Sequence, residues 1–175
     1  MVTLTSGSVS EEDFLALPGS HDRLELIDGE VTWRPPPTPM HQMIVARLCR
    51  QVGTWADANP PAFLGLSPLD VRIAPGRIVQ PDLFLLLGGL PSPEGPVDRV
   101  PDLAVEVLSR DRGYDRVTKR VLYAQAGVHE YWIVDPLQRR IELCQGLDRI
   151  EVFTDHIEST VASGLRVEIE PLLSA

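Results

Sequence analysis

A single lysine, Lys119, stands in a chain whose other 15 basic residues are all arginine, out of 16 Lys and Arg together. Arginine stays protonated in proteins, whereas a lysine ammonium is compact, can shift its pKa and can transfer a proton. Lys119 follows Glu106 by 13 residues, and that glutamate lies within the apolar run Pro101–Ser109. The pattern indicates either acid-base or charge-stabilising chemistry at Lys119, or an ordinary position on a helix surface.

Two acidic residues lie in apolar segments, where burial of a carboxylate is energetically unfavourable. Asp82 is part of the apolar run Ile78–Leu87, and Glu106 is part of Leu103–Leu108. A buried carboxylate is normally paired, protonated or bound to a metal ion. Two carboxylates on adjacent central strands would suit Mg²⁺ or Mn²⁺, which prefer oxygen ligands. For Asp82 the alternative is an acid at a strand end that caps a helix or pairs with an arginine.

The dipeptide Pro-Asp occurs twice, so its second copy must be distinguished from the first. Asp102 and Glu106 are four residues apart on one expected strand, hence about 13 Å apart along it. They cannot share a small ion, whereas Asp82 comes from the preceding strand and can lie opposite Glu106. We therefore favour Asp82 as the partner of Glu106 and interpret Asp102 as a strand-start residue.

Composition limits the class of protein. A length of 175 residues suits one domain, over residues 1–175 with a core at about residues 10–145. No apolar run approaches the length of a membrane span, and the N-terminus lacks the pattern of a signal peptide, so we expect a cytoplasmic protein without a membrane partner. A net charge of −9 and a pI of about 4.8 argue against binding nucleic acid by charge alone. They do not exclude an enzyme that binds DNA locally.

Apolar periodicity and turn signals predict an α+β domain in which helices flank a mixed β-sheet. The helices are expected over residues 10–17, 39–58 and 114–126. The strands are expected over residues 24–27, 30–33, 63–73, 78–87, 103–108, 130–135 and 140–144. The remainder is expected to form short edge strands and a loose tail.

The order of these segments resembles a known nuclease superfamily. Pro81-Asp82, a gap of 23 residues and Glu106-Val107-Leu108 are similar to the Pro-Asp…(Asp/Glu)-X-Lys motif of the PD-(D/E)XK nucleases. More closely, the chain resembles their bacterial branch of putative restriction endonucleases, also named as a domain of unknown function. The resemblance implies a restriction-endonuclease-like fold. The segments that carry it are Leu24–Glu30, Val79–Leu83, Leu103–Ser109, Lys119–Val128 and Glu130–Asp135.

One departure from the superfamily motif concerns its lysine. In the common form the lysine stands two residues after the second acid, and here that position is Leu108. The resembling branch places the lysine on the following helix, where Lys119 is the candidate. We expect Val117, Val121 and Leu122 to pack this helix on the sheet, and another face to present Lys119. A Lys119 that points into bulk water would leave the site without its usual base.

The resemblance implies a metal-dependent endonuclease that hydrolyses DNA, with a homodimer as its expected state. Asp82, Glu106 and the backbone carbonyl of Val107 would hold Mg²⁺ or Mn²⁺, and Lys119 would orient or deprotonate the attacking water. Two other functions stay open. The acidic pI and Leu108 would also fit a catalytically inactive binding or assembly module on a nuclease fold, because fold does not determine function. The third is a metal-dependent hydrolase of small phosphate esters.

Several further residues have two interpretations each. Glu25 is a possible third acid of the site, since some members of the superfamily add one, or an outward residue on an alternating strand. His41 lies near the start of the long helix and could face the cleft, cap the helix or lie on the surface. Arg112, Arg116 and Arg120 could hold phosphates or form a solvated helix face.

Overall fold

The structure, a computed structural model, describes residues 2–3, 8–17, 23–108 and 113–174. Its helices are α1 (Glu11–Leu15), α2 (Pro39–Ala58), a π-helix (Tyr114–Lys119) that continues into α3 (Arg120–Ala126), and α4 (Ile169–Leu173). Its strands are β1 (Val2–Thr3), β2 (Leu24–Ile27), β3 (Glu30–Trp33), β4 (Phe63–Leu66), β5 (Val71–Ala74), β6 (Arg77–Val79), β7 (Leu83–Leu86), β8 (Leu103–Val107), β9 (Glu130–Asp135), β10 (Arg140–Gln145), β11 (Arg149–Phe153), β12 (His156–Glu158) and β13 (Arg166–Glu168).

Two main sheets organise the described residues. The larger has six strands in the order β11-β10-β9-β8-β7-β4, and the smaller has five in the order β1-β3-β2-β6-β5. Strands β8 and β9 pair in parallel, and the other strand pairs are antiparallel. A parallel pair needs a crossover, which the π-helix and α3 supply. The predicted mixed α+β architecture is confirmed.

The six-stranded sheet is the middle layer of the molecule. Along β7, Leu83 and Leu85 belong to the core that α2 covers, while Phe84 and Leu86 belong to the core that α3 and the smaller sheet cover. This alternation follows from the two-residue period of a strand, and burial on both faces explains why the run is apolar throughout. None of the described helices combines the length and the apolar character needed to cross a membrane.

Local sequence signals correctly locate several helix and turn boundaries. The side chains of Ser10 and Thr38 accept hydrogen bonds from backbone amides in the first turns of α1 and α2. Asp28 and Gly29 join β2 to β3, and both have positive φ angles of 52° and 89°. Such angles are typical of the tight turn that Asp-Gly predicts between paired strands.

The prediction of two long strands over residues 63–73 and 78–87 is wrong. Each segment is interrupted and supplies one strand to each sheet: β4 and β7 lie in the larger sheet, and β5 and β6 in the smaller. The interruptions contain Pro68 and Pro81. Proline has no amide hydrogen to donate to a strand ladder, so a continuous central strand cannot run through it. The chain crosses twice between the two sheets as a result.

The expectation of a loose tail after residue 145 is also wrong. Ile157, Val167 and Leu172 are fully buried and belong to the core under α2. The strands β12 and β13 have only three residues each, too few to show a clear period in the sequence. The extent of the domain over residues 1–175 stays a prediction, but the core continues well past residue 145.

The C-terminal packing predicts a measurable loss of stability on truncating one side chain. Leu172→Ala removes a fully buried side chain and should lower the free energy of unfolding by about 2–5 kcal/mol. Leu137→Ala is the matched control, because Leu137 is 78% exposed and should change stability by less than about 0.5 kcal/mol. Urea denaturation measures both. Equal midpoints for the two variants would show that α4 does not belong to the core.

Candidate active site

Lys119 is buried between two glutamates. Its side chain is 1% exposed, and its Nζ donates hydrogen bonds to Glu25 Oε1 at 2.6 Å and to Glu106 Oε1 at 2.7 Å. Glu25 lies on β2 of the smaller sheet and Glu106 on β8 of the larger one. One ammonium therefore joins acids from both sheets.

Neighbouring groups complete the hydrogen bonding of both glutamates. The Tyr123 hydroxyl donates to Glu106 Oε1 at 2.9 Å, and the Tyr114 hydroxyl donates to Glu25 Oε2 at 2.9 Å. The backbone amide of Gln80 donates to Glu25 Oε1, also at 2.9 Å. A buried charge is tolerated when its hydrogen bonds are satisfied, and Glu25 meets this condition on both oxygens.

The π-helix determines which residues of this segment face inward. Tyr114, Asp115 and Lys119 are its buried residues, whereas Val117 is 65% exposed. A π-helix has hydrogen bonds between residues five apart, so the spacing of its inward residues is wider than in an α-helix. The prediction that Val117 packs on the sheet is wrong for this reason. Leu122 packs as predicted, and Lys119 points at the acids.

Asp82 is held by two groups from opposite sides. Its Oδ2 accepts a hydrogen bond from the Val107 amide at 2.8 Å and lies 3.0 Å from His41 Nε2. Asp82 follows Pro81 at the point where the chain enters β7, and Val107 ends β8. His41 is 7% exposed, so it faces the site rather than the solvent.

A small cavity of about 20 Å³ lies among these side chains, enough for one water molecule. A wider cleft of about 280 Å³ shares part of its wall with this cavity. The cavity is lined by Arg23, Glu25, Arg34, Pro37, His41, Ser67, Gln80, Asp82, Glu106, Val107 and Lys119.

Burial and charge shift the pKa values of the acids in opposite directions. Burial raises the pKa of Glu25, but the ammonium of Lys119 and the guanidinium of Arg34 outweigh it, so this pKa is lowered. Burial raises the pKa of Glu106 to about 8 against the opposing effect of Lys119. For Asp82, burial is outweighed by the His41 and Val107 hydrogen bonds, and the pKa is lowered. Burial therefore favours the protonated form of Glu106, whereas the ammonium of Lys119 favours the charged form.

The donor set at the cavity fits Mg²⁺ or Mn²⁺. Asp82 Oδ1 and Glu106 Oε2 accept no hydrogen bond from any described residue. No group of three or more His, Cys, Asp and Glu side chains among the described residues is arranged to hold a metal ion. Mg²⁺ commonly uses one or two carboxylates and completes its shell with water and substrate oxygens. The two carboxylates beside this cavity match that mode of coordination.

Comparison with known proteins identifies the family and the fold of the chain. A family model named Uma2 and described as "Putative restriction endonuclease" matches residues 11–172. The chain belongs to the Uma2 family. The crystal structure of a "putative nuclease belonging to DUF820" from Anabaena variabilis ATCC 29413 has a TM-score of 0.79, with 23% identity over 94% of this chain and 97% of that one. This likeness confirms the nuclease fold. No curated protein matches the chain.

The fold of this Uma2-family chain brings together the site residues proposed from the sequence. Asp82, Glu106, Lys119 and Glu25 all border one cavity, together with Val107. Their catalytic and metal-binding roles stay predictions, including the role of the Val107 carbonyl. Glu25 is 1% exposed, so its interpretation as an outward residue is wrong.

Asp102 lies apart from the site, as expected of a strand-start residue. Its carboxylate accepts a hydrogen bond from the backbone amide of Leu87 at 2.8 Å. The residue does not border the cavity that contains Asp82. The geometric argument from strand spacing therefore separates the two Pro-Asp dipeptides correctly.

Sequence reasoning missed a second group of residues around Lys119. Arg34 donates to Asp115 at 2.6 Å, and its guanidinium lies 4.2 Å from the centre of the Tyr114 ring. Gln80 binds Glu25 through its backbone, and its side chain donates to Asp70 at 2.8 Å. The signal available in the sequence was the spacing of Tyr114 and Asp115, which stand five and four residues before Lys119 within the helix predicted over residues 114–126.

The expected arginine cluster has a structural role where it is described. Arg116 donates to Asp135 at 2.6 Å and to Glu142 at 2.8 Å, which ties the π-helix to β9 and β10. Arg120 donates to the carbonyl of Leu147 at 2.7 Å. Arg112 lies outside the described residues. These contacts do not support a phosphate-binding role for Arg116 or Arg120.

The raised pKa of Glu106 predicts how stability changes with pH in metal-free protein. Between pH 5 and pH 8 the folded Uma2-family protein keeps a proton on Glu106, because its pKa is raised from an ordinary value of 4.5 to about 8. The unfolded chain has released that proton, so raising the pH through this window should favour unfolding. Urea denaturation in the presence of a chelator should show that the free energy of unfolding of the wild-type protein declines as the pH rises from 5 to 8. The same decline should be smaller in Glu106→Gln. Parallel profiles for the two proteins would contradict the raised pKa.

Proposed function

We propose that this protein is a metal-dependent endonuclease that hydrolyses phosphodiester bonds in DNA. The observation that supports it most strongly is the meeting of Asp82, Glu106 and Lys119 at one cavity. Asp82 lies directly before β7, Glu106 on β8 and Lys119 at the end of the π-helix. The Uma2 family to which the chain belongs is described as "Putative restriction endonuclease". Together these three residues supply two carboxylates that can bind a metal ion and one ammonium that can stabilise negative charge, as metal-dependent phosphodiester hydrolysis requires.

Asp82 and Glu106 would hold the metal ion. A bound Mg²⁺ or Mn²⁺ would polarise the scissile phosphate and lower the pKa of a bound water. His41 and the Val107 amide both contact Asp82 Oδ2, which leaves Oδ1 available as the metal-binding oxygen. His41 is thus a positioning residue for Asp82.

Lys119 would act as a fixed positive charge beside the reacting phosphate. Burial lowers the pKa of its ammonium, but the charges of Glu106 and Glu25 outweigh burial and raise it. An amine that stays protonated can orient a water molecule and stabilise negative charge in the transition state. Of the two roles that the sequence suggested for Lys119, the raised pKa favours orientation and charge stabilisation over deprotonation.

DNA is the proposed substrate because the family description, "Putative restriction endonuclease", names a class of enzyme that cleaves DNA. The net charge of −9 implies that binding depends on local contacts and divalent metal, since broad charge attraction is absent. A homodimer and a cytoplasmic location stay predictions from the resemblance and from composition.

One observation favours the alternative of an inactive binding or assembly module. Lys119 is fully engaged by Glu25 and Glu106 at 2.6 Å and 2.7 Å, so it can serve stability alone. The two functions differ in metal-dependent cleavage, which the module would lack.

Replacing either metal-binding acid should abolish cleavage. Asp82→Asn and Glu106→Gln keep the shape of each side chain but remove a carboxylate, and DNA cleavage in Mg²⁺ or Mn²⁺ should fall at least about 100-fold, or about 2.7 kcal/mol in activation free energy. Asp57→Asn is the control, because it makes the same charge change at an exposed position of α2.

Cleavage should be measured on duplex DNA, single-stranded DNA, RNA and a small phosphate ester, with Mn²⁺ binding measured by calorimetry. Metal binding that is lost in Asp82→Asn but kept in Asp57→Asn supports the site. No cleavage of any substrate by the wild-type protein, despite metal binding, would favour the inactive module.

Separate variants distinguish the chemical role of Lys119 from its structural role. Lys119→Met leaves Glu25 and Glu106 without their shared cation, and should lower the free energy of unfolding by about 3–5 kcal/mol. Adding Glu25→Gln should restore part of that stability, because it removes one unpaired charge. If Lys119 acts in the reaction, the double variant stays inactive although folded, while Glu25→Gln alone keeps more activity. An active double variant would exclude a chemical role for Lys119.

A further inference from the structure

Two arginines that no catalytic role uses border the same cavity as the acids. Arg23 precedes β2 and Arg34 follows β3, so both lie at the open end of this hairpin. The Arg34 amide donates to the Arg23 carbonyl at 2.7 Å, and Arg23 Nε donates to the Arg34 carbonyl at 3.1 Å. The hairpin ladder thus fixes the two residues beside each other.

The guanidinium of Arg34 has a hydrogen-bond donor that no described residue accepts from. One of its terminal nitrogens pairs with Asp115, and its plane lies over the Tyr114 ring. The other terminal nitrogen, NH1, is buried and has no hydrogen-bond partner among the described residues. A buried donor without a partner is unfavourable, and a ligand oxygen would satisfy it.

Arg23 is held in an unusual backbone conformation. Its φ angle is 68°, in the left-handed region that side-chain-bearing residues rarely adopt. The Gln80 side chain accepts a hydrogen bond from its amide at 3.1 Å. Among the described residues, its guanidinium makes one hydrogen bond, through Nε. Its two terminal nitrogens therefore have donors left for a ligand.

Two guanidinium groups border this one small cavity. Burial lowers the pKa of Arg23, the charge of Asp82 opposes that shift, and the charge of Arg34 adds to it. Planar guanidinium forks match the oxygens of phosphate and bind them through paired hydrogen bonds. The pair has the charge and the unused donors to bind an anion.

We propose that Arg23 and Arg34 form a phosphate-binding subsite beside Asp82 and Glu106, which holds a phosphate group of the nucleic-acid strand. This rests on the proposed nuclease function. The adjoining cleft of about 280 Å³ shares Arg23, His41 and Asp82 with the cavity. A strand in this cleft would lie against Arg23 and Asp82, next to the cavity that Arg34 and Glu106 also border. In a chain of net charge −9, this pair offsets the repulsion that an incoming phosphate meets.

The test measures anion binding in metal-free protein, where no cleavage occurs. Inorganic phosphate, a single-stranded oligonucleotide and a duplex of the same sequence are titrated at fixed ionic strength. Arg23→Gly removes the guanidinium at a position whose φ suits glycine. Arg34→Lys keeps a charge for Asp115 but removes the planar fork. Arg50→Ala, an exposed position of α2, is the control with the same charge change as Arg23→Gly.

We expect Arg23→Gly and Arg34→Lys each to weaken oligonucleotide binding at least fivefold, with Arg50→Ala within twofold of wild type. Urea denaturation confirms that the variants remain folded. Unchanged oligonucleotide affinity in both folded arginine variants would overturn the subsite, as would binding of inorganic phosphate without binding of either oligonucleotide. Because binding is measured without metal, a protein that binds through these arginines yet cleaves nothing would refute the nuclease function and leave the subsite standing.

Discussion

The buried contact of Lys119 with Glu25 and Glu106 is the constraint on which the arrangement of the molecule depends. Glu25 belongs to the five-stranded sheet, Glu106 to the six-stranded sheet and Lys119 to the crossover between β8 and β9. Removing one partner of a buried ion pair is strongly destabilising, since a charge is left without compensation. The same three side chains therefore join the two sheets and define the site.

The charges around this contact shift the pKa values of the three acids in different directions. Glu25 and Asp82 have lowered pKa values, while the pKa of Glu106 is raised to about 8 by burial and by the nearby acids, although Lys119 opposes the shift. Arg34 extends the network to Asp115, which lies next to Tyr114 on the π-helix. Asp82 and Glu106 each keep one carboxylate oxygen that accepts no hydrogen bond from a described residue, and the proposed metal ion would bind these two oxygens.

Much of the site could be predicted from the sequence because acids within apolar runs are rare and informative. That argument located Asp82 and Glu106, and strand spacing set Asp102 aside. The inward position of Glu25 could not be read from alternation, because Glu25 and Leu26 are both buried on β2. The prolines that divide the strands were visible in the sequence, but the assignment of each half to a different sheet depends on tertiary packing. The π-helix was also hidden, since no local pattern distinguishes it from an α-helix.

The engagement of Lys119 by two glutamates has a consequence for how relatives of this protein are interpreted. A related protein without catalytic activity would still need these three side chains to hold its two sheets together. Selection for folding alone would therefore retain them. Their presence in another chain is therefore weak support for catalysis. Asp82 is more informative, because its Oδ1 accepts no hydrogen bond from a described residue. Replacement of Asp82 in a relative would remove the proposed metal-binding oxygen.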